Sequence, residues 1–97
     1  MASSTARVPT ANGSRYLQQL CKHWAHKFEV ECTPEKGRVN LPEGTVAMME
    51  ATPEALDVRL EAVDDDVLAR MKTVLANHLD RFAFREAPLP FDWRDAA

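Results

Sequence analysis

The chain has 97 residues, is 45% hydrophobic and 28% charged, and carries a formal net charge of −3. This length predicts one domain with a single two-layer core and no deep cleft, and the mildly acidic balance argues against a nucleic-acid-binding protein. The sequence shows neither an apolar run near the ~20 residues of a transmembrane helix nor the apolar core of a signal peptide. We therefore expect a cytoplasmic protein without a membrane partner, whose two cysteines remain thiols.

The first residues are small and polar, and they show no hydrophobic periodicity. Residues 1–13 are therefore predicted to form a flexible N-terminal arm, followed by a single α+β domain over residues 14–97. Ser14 occupies the position expected of a helix N-cap. Apolar residues then recur at steps of three and four, which predicts a first helix over about residues 15–27. These residues are Leu17, Leu20, Cys21, Trp24 and Phe28.

After this helix the pattern changes to period two and predicts four short strands in succession. Residues 28–32, 38–41 and 56–62 alternate between apolar and polar side chains. Residues 45–51 carry apolar side chains on both faces, which leaves the register of this strand open. Turn sequences separate the strands, and such short connections predict an antiparallel meander.

A second helix follows the acidic run at residues 64–66, which favours a helix start through capping and the helix dipole. Its apolar stripe continues to about residues 82–84. Two prolines then exclude helix from residues 86–93, a tail predicted to be extended and to pack back over the domain. The expected fold class is an α+β two-layer sandwich. In it a helix, a four-stranded antiparallel meander and a second helix follow each other, with both helices on one face of the sheet.

The stretch CKHWAHK, residues 21–27, concentrates the residues that carry chemistry. As a linear string, Cys21, His23 and His26 suggest three metal ligands. On a helix each residue advances by about 100°, which places Cys21 in the apolar face and about 160° away from His23. One ion therefore cannot contact all three side chains. The stretch divides into an outer His23–His26 pair and an inward Cys21.

Three roles are compatible with the outer pair. His23 and His26 are neighbours at i and i+3, and they can provide two ligands for Fe, Zn, Cu or Ni. At least one further ligand must then come from the arm, the tail or a second subunit. The pair can also contact an anion or a partner. Finally, it can simply complement the dipole and the free carbonyls at the helix end, together with Lys22 and Lys27.

The inner candidate pair joins the two helices. His78 falls inside the apolar stripe of the second helix, and Cys21 faces the same core. If the two side chains meet, they can activate a thiolate or provide two metal ligands. Alternatively, His78 bonds a backbone carbonyl or a tyrosine and has only a structural role, because a buried polar group needs a partner.

Charged residues near the helix ends form a candidate partner surface. Residues 15–27 contain cations and no acid, whereas residues 43–66 contain eight acids and a single arginine. Such segregation can orient a protein partner or a second copy of the chain. The candidate partner-binding residues are Arg15, Lys22, Lys27, Arg81, Arg85 and Glu86.

The segments SRYLQQLCKHWAHKF, GRVNLP and HLDRFAFRE, with the proline-rich tail that contains a tryptophan, resemble the bacterial family catalogued as domain of unknown function 2218. The resemblance covers about residues 14–93, and Cys32 lies outside the family pattern. Similar domains occur alone and attached to siderophore-interacting flavoproteins, so the resemblance implies a link to iron acquisition. The matching positions here are Cys21, His23, His26, His78, Arg81, Phe82, Phe84, Arg85 and Glu86.

Three functions follow as hypotheses. The first is a small binding module without enzymatic activity, for a metal ion or an iron- or siderophore-related ligand. The second is a protein-interaction domain that docks on a partner such as a siderophore-interacting flavin reductase, through its basic helix face or its open sheet. The third and least favoured is a small enzyme that uses Cys21 with His78. The sequence has no glycine-rich phosphate loop, CxxC pair, HExxH motif or nucleophile elbow to favour catalysis.

Overall fold

Strands and two helices account for most of the chain in the computed structural model, which describes residues 2–96. The strands are β1 (Ala2–Pro9), β2 (Glu29–Cys32), β3 (Lys36–Asn40), β4 (Val46–Ala51), β5 (Ala55–Ala62) and β6 (Arg94–Asp95). Helix α1 (Gly13–Trp24) lies between β1 and β2, and helix α2 (Asp65–Phe82) lies between β5 and β6. A short 3₁₀ turn, Pro42–Gly44, connects β3 to β4.

The strands form one six-stranded sheet in the order β2-β3-β4-β5-β1-β6, and all paired neighbours are antiparallel. Helix α1 packs against β3 and β4, α2 packs against β5 and β1, and the helices contact each other. The predicted α+β class with an antiparallel sheet is confirmed. Across residues 2–96, however, the sheet has six strands instead of the predicted four. The additional strands come from the segments predicted to be an arm and a tail.

The first additional strand, β1, corrects the predicted flexible arm. It pairs with β5 along its whole length. Ser4, Ala6 and Val8 are buried, whereas Thr5 and Arg7 between them are exposed. This is a period-two pattern built mostly from small side chains, which carry too little apolar surface to give a hydrophobic signal. The strand forms because β5 offers it a complete ladder of backbone partners.

The second additional strand, β6, belongs to the tail and pairs with Ser4 and Thr5 of β1. Before it, Leu89 is buried, and its backbone N–H donates to the Asp80 carboxylate of α2 at 2.9 Å. The tail therefore runs over α2 and reaches the edge of β1. This agrees with the prediction of an extended tail that packs back over the domain.

Helix α1 begins two residues before its predicted start and ends three residues before its predicted end. Ser14 lies inside the helix instead of capping it, and its hydroxyl donates to the carbonyl of Pro34. At the other end, the backbone N–H of Lys27 bonds the carbonyl of Trp24 in a turn that closes the helix. His26 consequently lies outside α1, so helical spacing does not fix its position relative to the helix.

Helix α2 begins at the acidic run, as predicted. The Asp64 side chain caps it by accepting from the backbone N–H of Val67 at 2.9 Å. Asp65 and Asp66 occupy the first turn, where the helix dipole favours negative charge. Within residues 2–96, no helix is long and apolar enough to cross a membrane.

The structure resolves the register of β4, which the sequence left open. Ala47 and Met49 are buried, Val46 and Met48 are half-buried, and Glu50 is exposed. The strand therefore turns Ala47 and Met49 toward the core. Met48 lies on the other side of the sheet.

Helix α1 approaches the sheet closely at Gly37 of β3. A Cβ at this position would lie 2.7 Å from the Cys21 Sγ and 3.4 Å from the Leu17 Cδ2. Both atoms belong to α1, so the missing side chain of Gly37 creates the space in which the helix lies on the strand.

We expect Gly37→Ala to lower the free energy of unfolding by about 1–3 kcal/mol, because the added methyl group overpacks against Cys21. In a Cys21→Ala background, which removes the contacting sulfur, the loss should fall below about 1 kcal/mol. Urea denaturation of the parent, both single variants and the double variant measures this coupling. Equal losses in both backgrounds would assign the cost to the β3 backbone instead.

Candidate functional site

Cys21 lies in the core between α1 and β3, on the face predicted for it. Its side chain is 2% exposed and rests against Gly37. Burial raises the pKa of the Cys21 thiol to about 12, and a hydrogen bond with Cys32 adds to this effect. Such a thiol stays protonated at neutral pH, whereas a nucleophile or a metal ligand must be a thiolate. The environment of Cys21 therefore favours a structural role.

His78 packs against α1 at a different point. Its Nδ1 lies 2.7 Å from the carbonyl oxygen of Val74. Because a carbonyl oxygen only accepts, Nδ1 donates, and in the neutral ring Nε2 keeps its lone pair. The ring centroid of His78 lies 5.2 Å from that of Trp24 and 5.5 Å from that of His23. No hydrogen bond joins His78 to Cys21 within residues 2–96, so the inner pair predicted from the sequence is not observed.

His23 is half-buried where α1 meets α2. Besides its contact with His78, its ring centroid lies 5.9 Å from that of Phe82. Burial lowers the pKa of His23, and electrostatic repulsion from His78, Lys27 and Arg81 lowers it further. At neutral pH the His23 imidazole is therefore uncharged and has a free lone pair.

His26 is exposed in the turn beyond α1. Its charge contributes to the lowered pKa of His23, but in the described part of the chain its ring packs on no other aromatic ring. The outer pair predicted from helical spacing, His23 and His26, therefore shows no ring contact. The histidine in ring contact with His23 is His78, on the other helix.

His23, His26 and Lys27, together with His78 and Arg81 of α2, form a surface that we call the seam. Lys27 and Arg81 are exposed, and neither takes part in an ion pair within residues 2–96. Besides burial, the groups that lower the pKa of His23 are His78, Lys27, Arg81 and His26. The seam therefore attracts anions and repels a bare metal cation.

For a metal ion, the seam offers the two neighbouring imidazoles of His23 and His78. No group of three or more histidine, cysteine or acidic side chains is arranged to hold a metal among the described residues. Structural zinc sites use four protein ligands and catalytic sites commonly use three. An ion held firmly at the seam must therefore receive further ligands from another molecule.

Five of the six residues predicted to bind a partner are exposed cations. None of the five forms an ion pair within the part of the chain that the structure describes. Arg85 lies 5.7 Å from the ring centroid of Phe84, which is 70% exposed. The five cations are Arg15, Lys22, Lys27, Arg81 and Arg85.

The sixth residue, Glu86, has an internal role instead. Its carboxylate accepts hydrogen bonds from the hydroxyl of Thr10 at 3.0 Å, the side-chain amide of Asn12 at 3.3 Å and the hydroxyl of Tyr16. The bond from Tyr16, with those from Asn12 and Thr10, lowers the pKa of Glu86. Glu86 thus ties the segment after α2 to the start of α1, in place of the predicted contact with a partner.

Sequence reasoning missed the residues that bind Glu86. Thr10 and Asn12 fall in the segment predicted to be a flexible arm, and they have no local pattern that reveals a distant carboxylate. Tyr16 lies beside the predicted apolar stripe of the first helix. The position of Glu86 within HLDRFAFRE, which carries the family resemblance, was the one signal available.

The sheet, the helices and the seam define a small α+β protein with a candidate ligand surface between its helices. The chain belongs to the bacterial family DUF2218, described as "Uncharacterized protein conserved in bacteria", whose model matches residues 5–94. This confirms the resemblance inferred from the sequence and extends it over most of β1. No curated protein matches the chain.

A solved structure with the same fold is the NMR structure of PA4090 from Pseudomonas aeruginosa. It shares 40% sequence identity with this chain, covers 97% of this chain and 96% of its own, and superposes with a TM-score of 0.81. The fold is therefore shared by a second bacterial protein over nearly its whole length.

Glu86→Gln is expected to lower the free energy of unfolding by about 1–2 kcal/mol near neutral pH, because it removes the charged acceptor of three hydrogen bonds at a solvent-accessible site. The folded-state pKa of Glu86 lies below its ordinary value of 4.5. Its contribution is therefore complete above that value and is lost as the pH falls through the folded-state pKa. Urea denaturation at neutral and acidic pH should show the difference between parent and variant shrinking in acid.

The control for this experiment is Glu54→Gln, an exposed glutamate whose side chain makes no hydrogen bond or ion pair within residues 2–96. It should leave the free energy of unfolding unchanged at every pH. A Glu86 effect that does not depend on pH would contradict the assigned carboxylate role.

Proposed function

We propose that this protein is a non-enzymatic binding module whose seam takes up a metal ion carried by an anionic chelator, of the kind a siderophore provides. The observation that carries the proposal is the contact of His23 with His78 inside a surface of cations that have no ion-pair partners within residues 2–96. Charge, imidazole chemistry and family each support one part of it.

The charge of the seam favours an anionic ligand. Lys27 and Arg81 lie close enough to lower the pKa of His23, and neither forms an ion pair within residues 2–96. A bare divalent cation meets repulsion at this surface, whereas a metal complex with net negative charge is attracted. The seam is therefore better suited to a charged complex than to a free ion.

The two imidazoles favour a ligand that contains a metal. His78 donates from Nδ1 to Val74, and a backbone carbonyl is a usual partner for the outward nitrogen of a metal-bound histidine. Imidazole suits Fe, Zn, Cu and Ni. With two protein ligands at most, the remaining coordination positions fall to the chelator.

The family resemblance supports iron as the metal. Similar domains attached to siderophore-interacting flavoproteins imply a role close to iron uptake, and His23, His78 and Arg81 are among the positions that carry the resemblance. Association by fusion suggests a pathway but does not define a chemistry. The proposed ligand chemistry is argued from the residues of the seam instead.

The test compares three probes: an anionic iron(III)–bis(catecholate) complex, which leaves two coordination positions open for imidazole, the metal-free catecholate and a nickel(II) salt. We expect the complex to bind at least about tenfold more tightly than either of the others, as charge-assisted contacts and metal ligation act together. Trp24 lies beside His78 and reports binding through quenching of its fluorescence. A Trp93→Phe background removes the signal of the second tryptophan.

The variants separate the residues of the seam. The double variant His23→Gln, His78→Gln should weaken binding of the complex at least about tenfold, whereas His26→Gln should change it less than about twofold. Arg81→Gln should weaken it as well, and Arg70→Gln, which alters a cation paired with Glu43 elsewhere on α2, should not. Unchanged binding by the double histidine variant would refute the proposal, as would equal affinity for nickel alone.

Docking on a protein is the second candidate, and the exposure of Phe84 favours it. Phe84 is 70% exposed, and Arg85 lies over its ring. An exposed aromatic side chain beside arginines is typical of an anchor for a partner with an apolar pocket and acidic rim. A siderophore-interacting flavin reductase is the partner that the family resemblance suggests.

This candidate predicts that Phe84→Ser abolishes binding to such a reductase, measured by calorimetry in the presence of a metal chelator. The matched control is Val63→Ser, which changes the other large apolar side chain that is exposed within residues 2–96, at 53%. Binding that requires metal, or that survives Phe84→Ser, would count against this docking mode.

A further inference from the structure

The side of the sheet that faces away from α1 contains a cavity that none of the proposed functions uses. The Cβ position of Gly37 points toward Cys21 and Leu17 of α1, so the neighbouring Arg38 points to the opposite side. The cavity on that side has a volume of about 870 Å³. This is within the range of pockets that hold small organic ligands, roughly 300–1,000 Å³.

One row of side chains crosses this side of the sheet through all six strands. The register places its members directly opposite each other from one strand to the next. Because opposite residues in a ladder share a face, all of them point away from α1. The row reads, from β2 to β6, Glu31, Arg38, Met48, Arg59, Thr5 and Arg94.

The arginines of this row retain capacity to bind an anion. Arg59 holds one oxygen of Glu61 at 3.0 Å, and Arg94 holds one oxygen of Asp92 at 3.3 Å. Each guanidinium has five N–H donors, so a single acceptor leaves most of them available. Arg38 takes part in no ion pair within residues 2–96.

Arg38 and Arg59 are placed to share one ligand. Both lie opposite Met48, one on each side of β4. With strands about 4.8 Å apart, their Cα atoms are separated by roughly 10 Å, a span that two long side chains can close over the methionine. Met48 is half-buried and supplies an apolar floor between the two positive charges.

Two of the four acids that line the cavity lie in the next row along the strands, and that row is balanced within itself. Glu50 and Asp57 lie opposite each other in its centre, flanked by Lys36 and by Arg7. Arg7 lies 3.7 Å from Asp57. Glu50 and Asp57 therefore have cations of their own row beside them.

Of the other two acids, Glu31 lies opposite Arg38 in the arginine row, and Asp92 pairs with Arg94. The arginine row keeps three arginines against the one carboxylate of Glu31.

We propose that this cavity binds a small organic acid, with its carboxylate between Arg38 and Arg59 and its apolar body on Met48. Two guanidinium groups favour a carboxylate through charge-assisted hydrogen bonds, and the methionine adapts to apolar groups of varied shape. The turn after β2 and Asp92 of the tail wall the cavity. These walls favour a compact ligand over a flat protein surface.

The test uses benzoate, inorganic phosphate and benzylamine as probes, followed by amide chemical shifts of isotope-labelled protein. We expect benzoate to give saturable shifts confined to the strands around Met48. Phosphate, which lacks the apolar body, should bind at least about threefold more weakly. Benzylamine has the same ring with the opposite charge and should give no saturable shift. Binding of benzylamine equal to that of benzoate would overturn the charge assignment.

Arg38→Gln and Arg59→Gln should each weaken benzoate at least about tenfold, while Arg70→Gln serves as the control remote from the cavity. Met48→Ser should weaken benzoate and leave phosphate unchanged. The seam variant His23→Gln should not alter benzoate binding, which keeps this test independent of the proposed metal complex. Benzoate binding that survives Arg38→Gln would overturn the proposal. The proposal would also be overturned if the amide chemical shifts of the same residues changed with protein concentration in the absence of any probe. That result would indicate that a second copy of the chain binds this face.

Discussion

The carboxylate of Glu86 holds together parts of the chain that no secondary structure connects. It accepts hydrogen bonds from Thr10, Asn12 and Tyr16, and so joins the segment after α2 to the β1–α1 connection and to α1 itself. Because α1 and α2 meet along the surface that carries His23 and His78, the relative position of the helices sets the geometry of the seam. By joining the segment after α2 to the start of α1, Glu86 helps to hold the two helices in the position at which these rings meet.

Two surfaces with different chemistry result from this arrangement. The seam combines uncharged imidazole with lysine and arginine, and the other side of the sheet presents arginines around a methionine. The seam carries lysine and arginine, and the arginine row of the sheet carries three cations against one acid, in a chain whose net charge is −3. Net charge argued against a nucleic-acid-binding protein, but the affinity for a small ligand depends on the charges around its own site.

The parts of the fold that local sequence determines were predictable. The start of α2 follows from Asp64, whose cap is made to a residue three positions later, and the apolar stripes followed from periodicity. The strand β1 was not predictable, because Ser4 and Ala6 give no hydrophobic signal and depend on β5 for their partners. The pairing of His23 with His78 likewise depends on how two helices pack, which helical spacing cannot reveal. His26 was misplaced because α1 closes at Trp24, before the apolar pattern ends at Phe28.

The position of β1 in the sheet has a consequence for the order of folding. This strand is the first in the chain, yet its two neighbours are β5 and β6, which are synthesised much later. During synthesis on the ribosome, residues 2–9 therefore have no strand partner until residues 55–62 emerge, and the outer edge of β1 pairs only after residues 94–95 emerge. Pairings so distant in sequence slow folding. The small and mostly polar side chains of β1 lower the risk of aggregation while the strand is unpaired, because a strand with little apolar surface is a poor template for aggregation.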